Sequence, residues 1–589
     1  MMRWSLESLY PSFDSEQFQR DLAQIDEQME MIKNWVEENL QDYNSPQRKL
    51  ERIIQLTREY YIKFSRLMSF TSLSLSVNTK DEKALFYLDK LQLKSTELTS
   101  AQVKMEKWIG GLENLEEVIE TSPLLKEHKF YLKEIAKKTK YLLSEKEEIV
   151  IAKMATTGSQ GWSKLQDKLV STLLVDIEIK GEKKKLPLPV VRNMAYNKDP
   201  EIRKTAYHAE LKSYEKIVES SAACLNGIKG EVITLAKLRG YSSPLEKTLL
   251  DSRMDRETLE AMLEGIKEAL PSFHKYYRHK GKLLGYDNGL PFFEIFAPLG
   301  EVNMEYTFEE AKEFIVKQFR TFSDKLADFT DMVFEKKWID AEIREGKRGG
   351  AFCSNLQSIK ESRILTNFSG TFSNVTTLAH ELGHAYHGYC LKDESILNTT
   401  YPMPLAETAS IFNEAIVMNA ALKEATDEEK LTILETAISD AGQVIVDIYS
   451  RYLFETELFK RREEHSLSVN ELKEIMLEAQ KEAYGNGLDH NYLHPYMWVN
   501  KPHYYYAGRN FYNFPYAFGL LFAKGIYAQY LKEGKDFVPK YDQLLAVTGK
   551  MNIKDVGAVI GIDVTSKEFW KSSLDLIIKD IEDFIKLSS

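Results

Sequence analysis

Cysteine is scarce. Only Cys224, Cys353 and Cys390 occur in 589 residues. They are odd in number and far apart, which excludes a disulfide framework and makes a reducing cytoplasm the simplest compartment. Glycine and proline are also few, at 29 and 16. That disfavours an all-β chain built on tight turns and favours helix. No stretch of apolar residues is long enough to span a bilayer, so no membrane segment is predicted. The N-terminus, Met-Met-Arg-Trp-Ser-Leu-Glu, has neither an apolar core nor a small-residue cleavage site, so no secretion signal is predicted. Positive charge is not in excess: the net charge of -11 argues against a nucleic-acid partner. What remains, 43% hydrophobic and 28% charged residues, is the composition of a soluble globular protein.

Helical periodicity runs through most of the chain. Phe18, Leu22, Ile25, Met29, Ile32 and Val36 recur at spacings of four and three, which predicts a helix over 15–40. A second helix is predicted over 46–76. A polar turn at Asn78–Lys83 follows, then a third helix to about residue 108. Short connections suggest antiparallel packing. Residues 173–190 alternate and then turn at Gly181 before a Lys-rich run and Leu186-Pro187-Leu188-Pro189, which predicts a small β-hairpin with an edge strand. The lysines there solvate the edge. Residues 195–335 read as helical again, with a break between Gly285 and Pro298. Gly-Lys-Arg-Gly-Gly at 346–350 lacks the spacing of a phosphate loop and reads as a flexible basic loop beside a cleft. Residues 363–368 read as a short strand, with Gly370 as the break, whose edge could pair with an extended peptide.

Residues 380–384, His-Glu-Leu-Gly-His, carry the chemistry. Histidines four apart in a helix differ by about 40° around the axis, so both imidazoles can reach one cation. Zinc takes histidine nitrogen and, in catalytic sites, keeps one position open for water. Glu381 is offset by about 100°, placed to act on that water as a base without being a ligand. Val375, Leu378, Leu382, Ala385 and Tyr389 form one stripe of the same helix, suited to a core. His380, His384 and His387 form a second stripe, suited to a cleft. Ser373 or Asn374 is the expected cap.

A third ligand is expected. His387 shares the helix face but lies about 10.5 Å along a straight axis from His380. It reads better as a residue behind the ligands or in the cleft. Glu407, in Pro404-Leu405-Ala406-Glu407-Thr408-Ala409-Ser410, is the other candidate, since Pro404 suits the first turn of a new helix.

At this point the chain resembles a known family. His380-Glu381-Leu382-Gly383-His384-Ala385-Tyr386-His387 and the Pro404–Ser410 segment are similar to those of the M3 metallopeptidases, in the oligoendopeptidase F branch. Lys347-Arg348-Gly349-Gly350-Ala351-Phe352-Cys353 and Phe511-Tyr512-Asn513-Phe514-Pro515-Tyr516-Ala517-Phe518-Gly519 add to the match. The resemblance implies a mainly α, large helical zincin with a deep internal substrate channel and a small β element near the active site. It implies an N-terminal helical hairpin region over 1–110, the rest of the N-terminal domain with its β-hairpin over 111–194, and the catalytic domain over 195–589. It implies one Zn2+ per chain, with Glu407 as its third ligand beside His380 and His384.

The segment 494–519 is crowded with His, Tyr and Trp, most of which should simply pack. Peptide hydrolysis also needs a donor for the developing oxyanion. The resemblance implies that a His and tyrosines from this segment supply it, and His503, Tyr512 and Tyr516 are the expected ones. The four-residue spacing of the two tyrosines would put both on one helical face, with Pro515 between them. The expected activity is cleavage of internal bonds in short unfolded oligopeptides. Its rivals are a zinc carboxypeptidase on a related helical fold and a non-enzymatic peptide-binding protein with a relic motif.

Overall fold

Six apolar side chains of the first long helix fall on one stripe, and the fold buries all of them. Phe18, Leu22, Ile25, Met29, Ile32 and Val36 are each at most 6% exposed. Each contributes about 1.5–3 kcal/mol relative to exposure. In this computed structural model, which describes residues 2–300 and 304–589, the helix spans Glu16–Asn39. Ser15 caps it by accepting from the Phe18 N–H. Residues 301–303, part of the stretch expected to be helical, lie outside the described residues. The chain forms two compact units, each assembled from three separated segments. The first comprises residues 1–142, 304–421 and 529–562; the second comprises 143–303, 422–528 and 563–589.

In the first unit, the Glu16–Asn39 helix packs against Pro46–Val77, and Glu82–Thr96 follows with Asp81 as its cap. The third helix does not run unbroken to 108. It stops at Thr96 and restarts as Thr99–Gly110. Ser95 and Thr96 hydroxyls donate to the Gln92 and Leu93 carbonyls at 2.7 Å, and such side-chain bonds compete with the helical ladder.

The strands are few. β1 (Leu174–Ile179) and β2 (Glu182–Pro187) form the expected hairpin in the second unit. Lys180 and Gly181 turn it with φ of 50° and 85°, the two positive values a tight two-residue hairpin needs. Val175 and Ile177 point inward while Asp176 and Glu178 face out. Lys185 shares the solvated face with its register partner Asp176 and pairs with it, while Lys184, opposite Ile177, is exposed and pairs with Glu182.

β3 (Ile339–Asp340), β4 (Phe352–Leu356) and β5 (Glu361–Leu365) form a sheet of the first unit in the order β3-β5-β4. The strand expected to offer a free edge is therefore central. β5 pairs parallel with β3 and antiparallel with β4, and the outer positions belong to β3 and β4.

The Gly-Lys-Arg-Gly-Gly loop is not the flexible basic loop expected from composition. The Lys347 side chain is fully buried and donates to the carbonyls of Asp340 (3.0 Å), Glu342 (2.9 Å) and Thr366 (2.6 Å). It also pairs with the Asp340 carboxylate at 2.8 Å. Burial pushes the Lys347 pKa down while Asp340 holds it up. The Lys347 ammonium joins β3 to the residue after β5, while Arg348, Gly349 and Gly350 are exposed.

Candidate active site

The motif lies on a helix of the first unit, Phe372–Cys390. Its cap is Thr371, not Ser373 or Asn374: the Thr371 hydroxyl accepts from the Asn374 N–H at 3.3 Å. Val375, Leu378, Leu382 and Ala385 are fully buried, so the apolar stripe faces the core as expected. The polar stripe divides. His380 and His384 are half-buried, but His387 is fully buried and does not face a cleft. Its Nε2 lies 2.8 Å from the Thr548 hydroxyl, and its ring stacks on Tyr401 with centroids 4.1 Å apart. Burial lowers its pKa to about 3, so the ring is neutral.

Glu407 sits between a one-turn helix, Met403–Ala406, and a longer one, Thr408–Glu424. Pro404 opens the first of these, as expected. The Ser410 hydroxyl donates to Glu407 Oε2 at 2.8 Å and fixes the carboxylate. Gly383 explains how Glu407 can approach the histidines. A Cβ at 383 would lie 2.4 Å from the Ala409 carbonyl oxygen and 2.5 Å from Ser410 Cα. Only glycine lets the second helix start that close to the first.

His380 Nε2 and His384 Nε2 lie 3.2 Å apart, and Glu407 Oε2 is 3.2 Å from the first and 3.5 Å from the second. Among the described residues this is the only group of three or more His, Cys, Asp or Glu side chains that converges in this way. The donor chemistry fits a zinc ion. Tetrahedral ligands at about 2.0–2.1 Å from zinc are separated by about 3.3–3.4 Å. The protons are also accounted for elsewhere. His380 Nδ1 donates to Glu414 Oε1 at 2.7 Å, because a carboxylate can only accept. His384 is bonded to the Ala406 backbone. With His380 in its neutral form, two lone pairs and a carboxylate oxygen face one another, an arrangement that a cation resolves.

The electrostatics agree. Burial disfavours a charged His380, yet hydrogen bonds to Glu407 and Glu414 outweigh it and raise its pKa to about 10. Burial lowers His384 to about 4. For Glu407 burial is again overcome, by His380 and His384, and its pKa falls to about 2. Glu407 and Glu414 thus favour positive charge at this point: without a metal a proton on His380 meets the demand, and a cation bound between the three groups would take that proton's place.

Glu381 is 5% exposed, and its Oε2 has no hydrogen-bond partner among the described residues. Burial raises its pKa to about 7, with His380 acting against the rise. Glu414 and Gly383 were not picked out in the sequence. The one available signal for Glu414 is its spacing, seven residues after Glu407, which returns to the same helix face.

His503, Tyr512 and Tyr516 belong to the second unit, where they form a half-buried ring cluster. Ring centroids are 5.5 Å apart for His503 and Tyr512, 5.6 Å for Tyr512 and Tyr516, and 6.5 Å for His503 and Tyr516. The tyrosines do not share a helix as their spacing suggested. Phe514–Glu533 begins after Tyr512, with Pro515 in its first turn, and Phe511 has φ of 52°. The bend brings the rings together instead. Burial, with help from Arg451, lowers the His503 pKa, so this ring is neutral. His494, Trp498, Tyr504 and Tyr505 are buried and pack.

Comparison with known proteins gives a consistent result. The pattern of Peptidase family M3 matches residues 193–576, and that of the Oligopeptidase F N-terminal region matches 111–174. The chain is similar to Oligopeptidase PepF of Bacillus subtilis, with 27% identity over 80% of this chain and 71% of that protein. It is similar to an oligoendopeptidase F homolog of Borreliella burgdorferi, with 25% identity over 95% of this chain and 92% of that one. Among solved structures it shares the fold of a putative peptidase from Chlamydophila abortus, with a TM-score of 0.85 and 22% identity over 99% of this chain and 98% of that one. It also shares the fold of oligoendopeptidase-F from Enterococcus faecium, with a TM-score of 0.72 and 18% identity over 97% and 99% of the two chains.

Proposed function

The chain belongs to peptidase family M3 and is a metalloendopeptidase; from that premise we propose that its metal is zinc, one ion per chain, and that its substrates are short unfolded oligopeptides cleaved at internal bonds. The observation that carries this reading is the convergence of His380, His384 and Glu407 within 3.2–3.5 Å of one another. Glu414 orients His380, and Gly383 admits Glu407.

Bound zinc supplies Lewis acidity, which lowers the pKa of water and polarises the scissile carbonyl. Glu381 removes the proton from the attacking water. It can do so because its Oε2 is buried and uncommitted. Burial favours its neutral form and the neighbouring His380 its charged form, which sets its pKa at about 7, so the group can take a proton and give it back. It then delivers that proton to the leaving amine. The developing oxyanion needs a hydrogen-bond donor, and we assign that role to the cluster of Tyr512, Tyr516 and His503, with Tyr512 first. No described helix is long and apolar enough to cross a membrane. The three free thiols suit a reducing cytoplasm.

The test is product analysis on a peptide blocked at both ends. Mass spectrometry should show two internal fragments. Release of single C-terminal residues from unblocked peptides alone would make the protein a carboxypeptidase. No cleavage of any peptide by zinc-loaded protein would make it a binding protein.

A further inference from the structure

The second unit holds a cavity of about 400 Å³, within the range of small-molecule sites. Its lining is partly aromatic and includes Tyr196, Tyr277, Phe292 and Phe296. Tyr196 stacks on Phe296 with centroids 5.0 Å apart. The lining also carries four cations: Arg192, Arg203, Arg451 and Lys501. Three of them have a carboxylate each. Arg192 pairs with Glu210 at 3.1 Å, Arg203 with Glu294 at 2.7 Å, and Arg451 with Asp447. The Lys501 ammonium makes no hydrogen bond and no ion pair with any described residue; Asp447 and Glu210 act on it only at a distance. One cation of the cavity is therefore left over.

Three buried polar atoms of the lining residues are also unmet, Arg451 Nε, His494 Nδ1 and Asn500 Oδ1. Burial, together with repulsion from Arg451, pushes the Lys501 pKa down to about 7, which an adjacent anion would reverse. The backbone is unusual here as well. Gln443–Asp447 is a π-helical turn set between Asp427–Gly442 and Ile448–Arg462. Such turns are rare and often mark functional sites. This one places Gln443, Asp447 and Arg451 along the cavity.

We propose that this cavity binds the α-carboxylate of a residue with an apolar or aromatic side chain, with Lys501 and Arg451 on the carboxylate and the aromatic lining residues on the side chain. Asn500 Oδ1 is an acceptor suited to the N–H of that same residue. The residue is either the C-terminus of a peptide or a free amino acid. Naming a peptide end rests on the peptidase reading, whereas the carboxylate chemistry does not.

The experiment is isothermal titration calorimetry on the full-length protein, zinc-loaded and chelator-stripped. The probes are N-acetyl-L-phenylalanine, its amide and free L-phenylalanine. The acid should bind in both metal states, at least about 10-fold tighter than the amide, because a charge-assisted bond is lost with the carboxylate. Lys501→Met should weaken the acid by a similar factor with its thermal unfolding unchanged, and Lys501→Arg should recover part of it. Tighter binding of the acetylated acid identifies a peptide end, and tighter binding of free phenylalanine identifies the amino acid. Equal binding of acid and amide to the wild-type protein would overturn the proposal, as would wild-type affinity in Lys501→Met or loss of binding on removing zinc. Cleavage by the same preparation is read separately. Acid binding without any cleavage would remove the peptidase reading and leave the pocket.

Discussion

Gly383 is the position where one methyl group should separate the two helices that build the metal cluster. In Gly383→Ala the new Cβ would meet the Ala409 carbonyl oxygen at 2.4 Å, Ser410 Cα at 2.5 Å and Ala409 C at 2.7 Å. Ordinary contact begins at 3.4 Å, so the two backbones must part by about 1 Å. All three neighbours are backbone atoms and cannot swing aside. Glu407 is two residues from Ala409, so its carboxylate moves with them. Zinc–ligand distances tolerate only about ±0.2 Å. Overpacking of this kind costs about 1–3 kcal/mol. If that cost falls on the metal-bound state, zinc affinity drops by about 5- to 150-fold. The assay is zinc competition against a chromogenic chelator, with thermal unfolding of the metal-free protein in parallel. Gly349→Ala is the control, because a Cβ there meets nothing within 4 Å. Wild-type zinc affinity in Gly383→Ala, with the strain showing only as a lower Tm, would refute the reasoning.

Other substitutions separate the roles. Glu381→Gln should keep zinc and lose at least about 10²-fold in kcat, measured on a quenched fluorescent peptide with zinc content checked; loss of zinc would make Glu381 a ligand. Glu414→Ala should weaken zinc by about 10- to 100-fold, through His380, and Glu407→Ala by more; a chelator titration ranks them, and the reverse order would undo the ligand assignment. Tyr512→Phe should lower kcat by about 10²–10³-fold with little change in KM, and Tyr516→Phe by less; wild-type kcat in both would leave His503 as the donor.

Much of this was legible in the sequence where the signal is local. The Glu16–Asn39 stripe, the hairpin at Lys180–Gly181 and the spacing of His380 and His384 each depend on residues a few positions apart. What failed depends on contacts between distant segments. Lys347 looks like a solvated lysine in a Gly-rich loop, and only the folded β3 and Thr366 show that its ammonium is enclosed. His387 lies on the same stripe as two cleft histidines, yet Tyr401 and Thr548 cover it. Glu414 is an ordinary helix carboxylate until His380 is placed beside it. β5 read as an edge because nothing local reveals that β3 and β4 flank it.

The central claim is that His380, His384 and Glu407 hold a zinc ion without which Glu381 has no water to act on. The most direct measurement follows zinc content and cleavage of a doubly blocked peptide in one sample, through chelation and then zinc return. The account predicts about one zinc per chain, activity falling in proportion to the metal removed, and recovery as zinc is restored. Full cleavage by demonstrably zinc-free protein would contradict it.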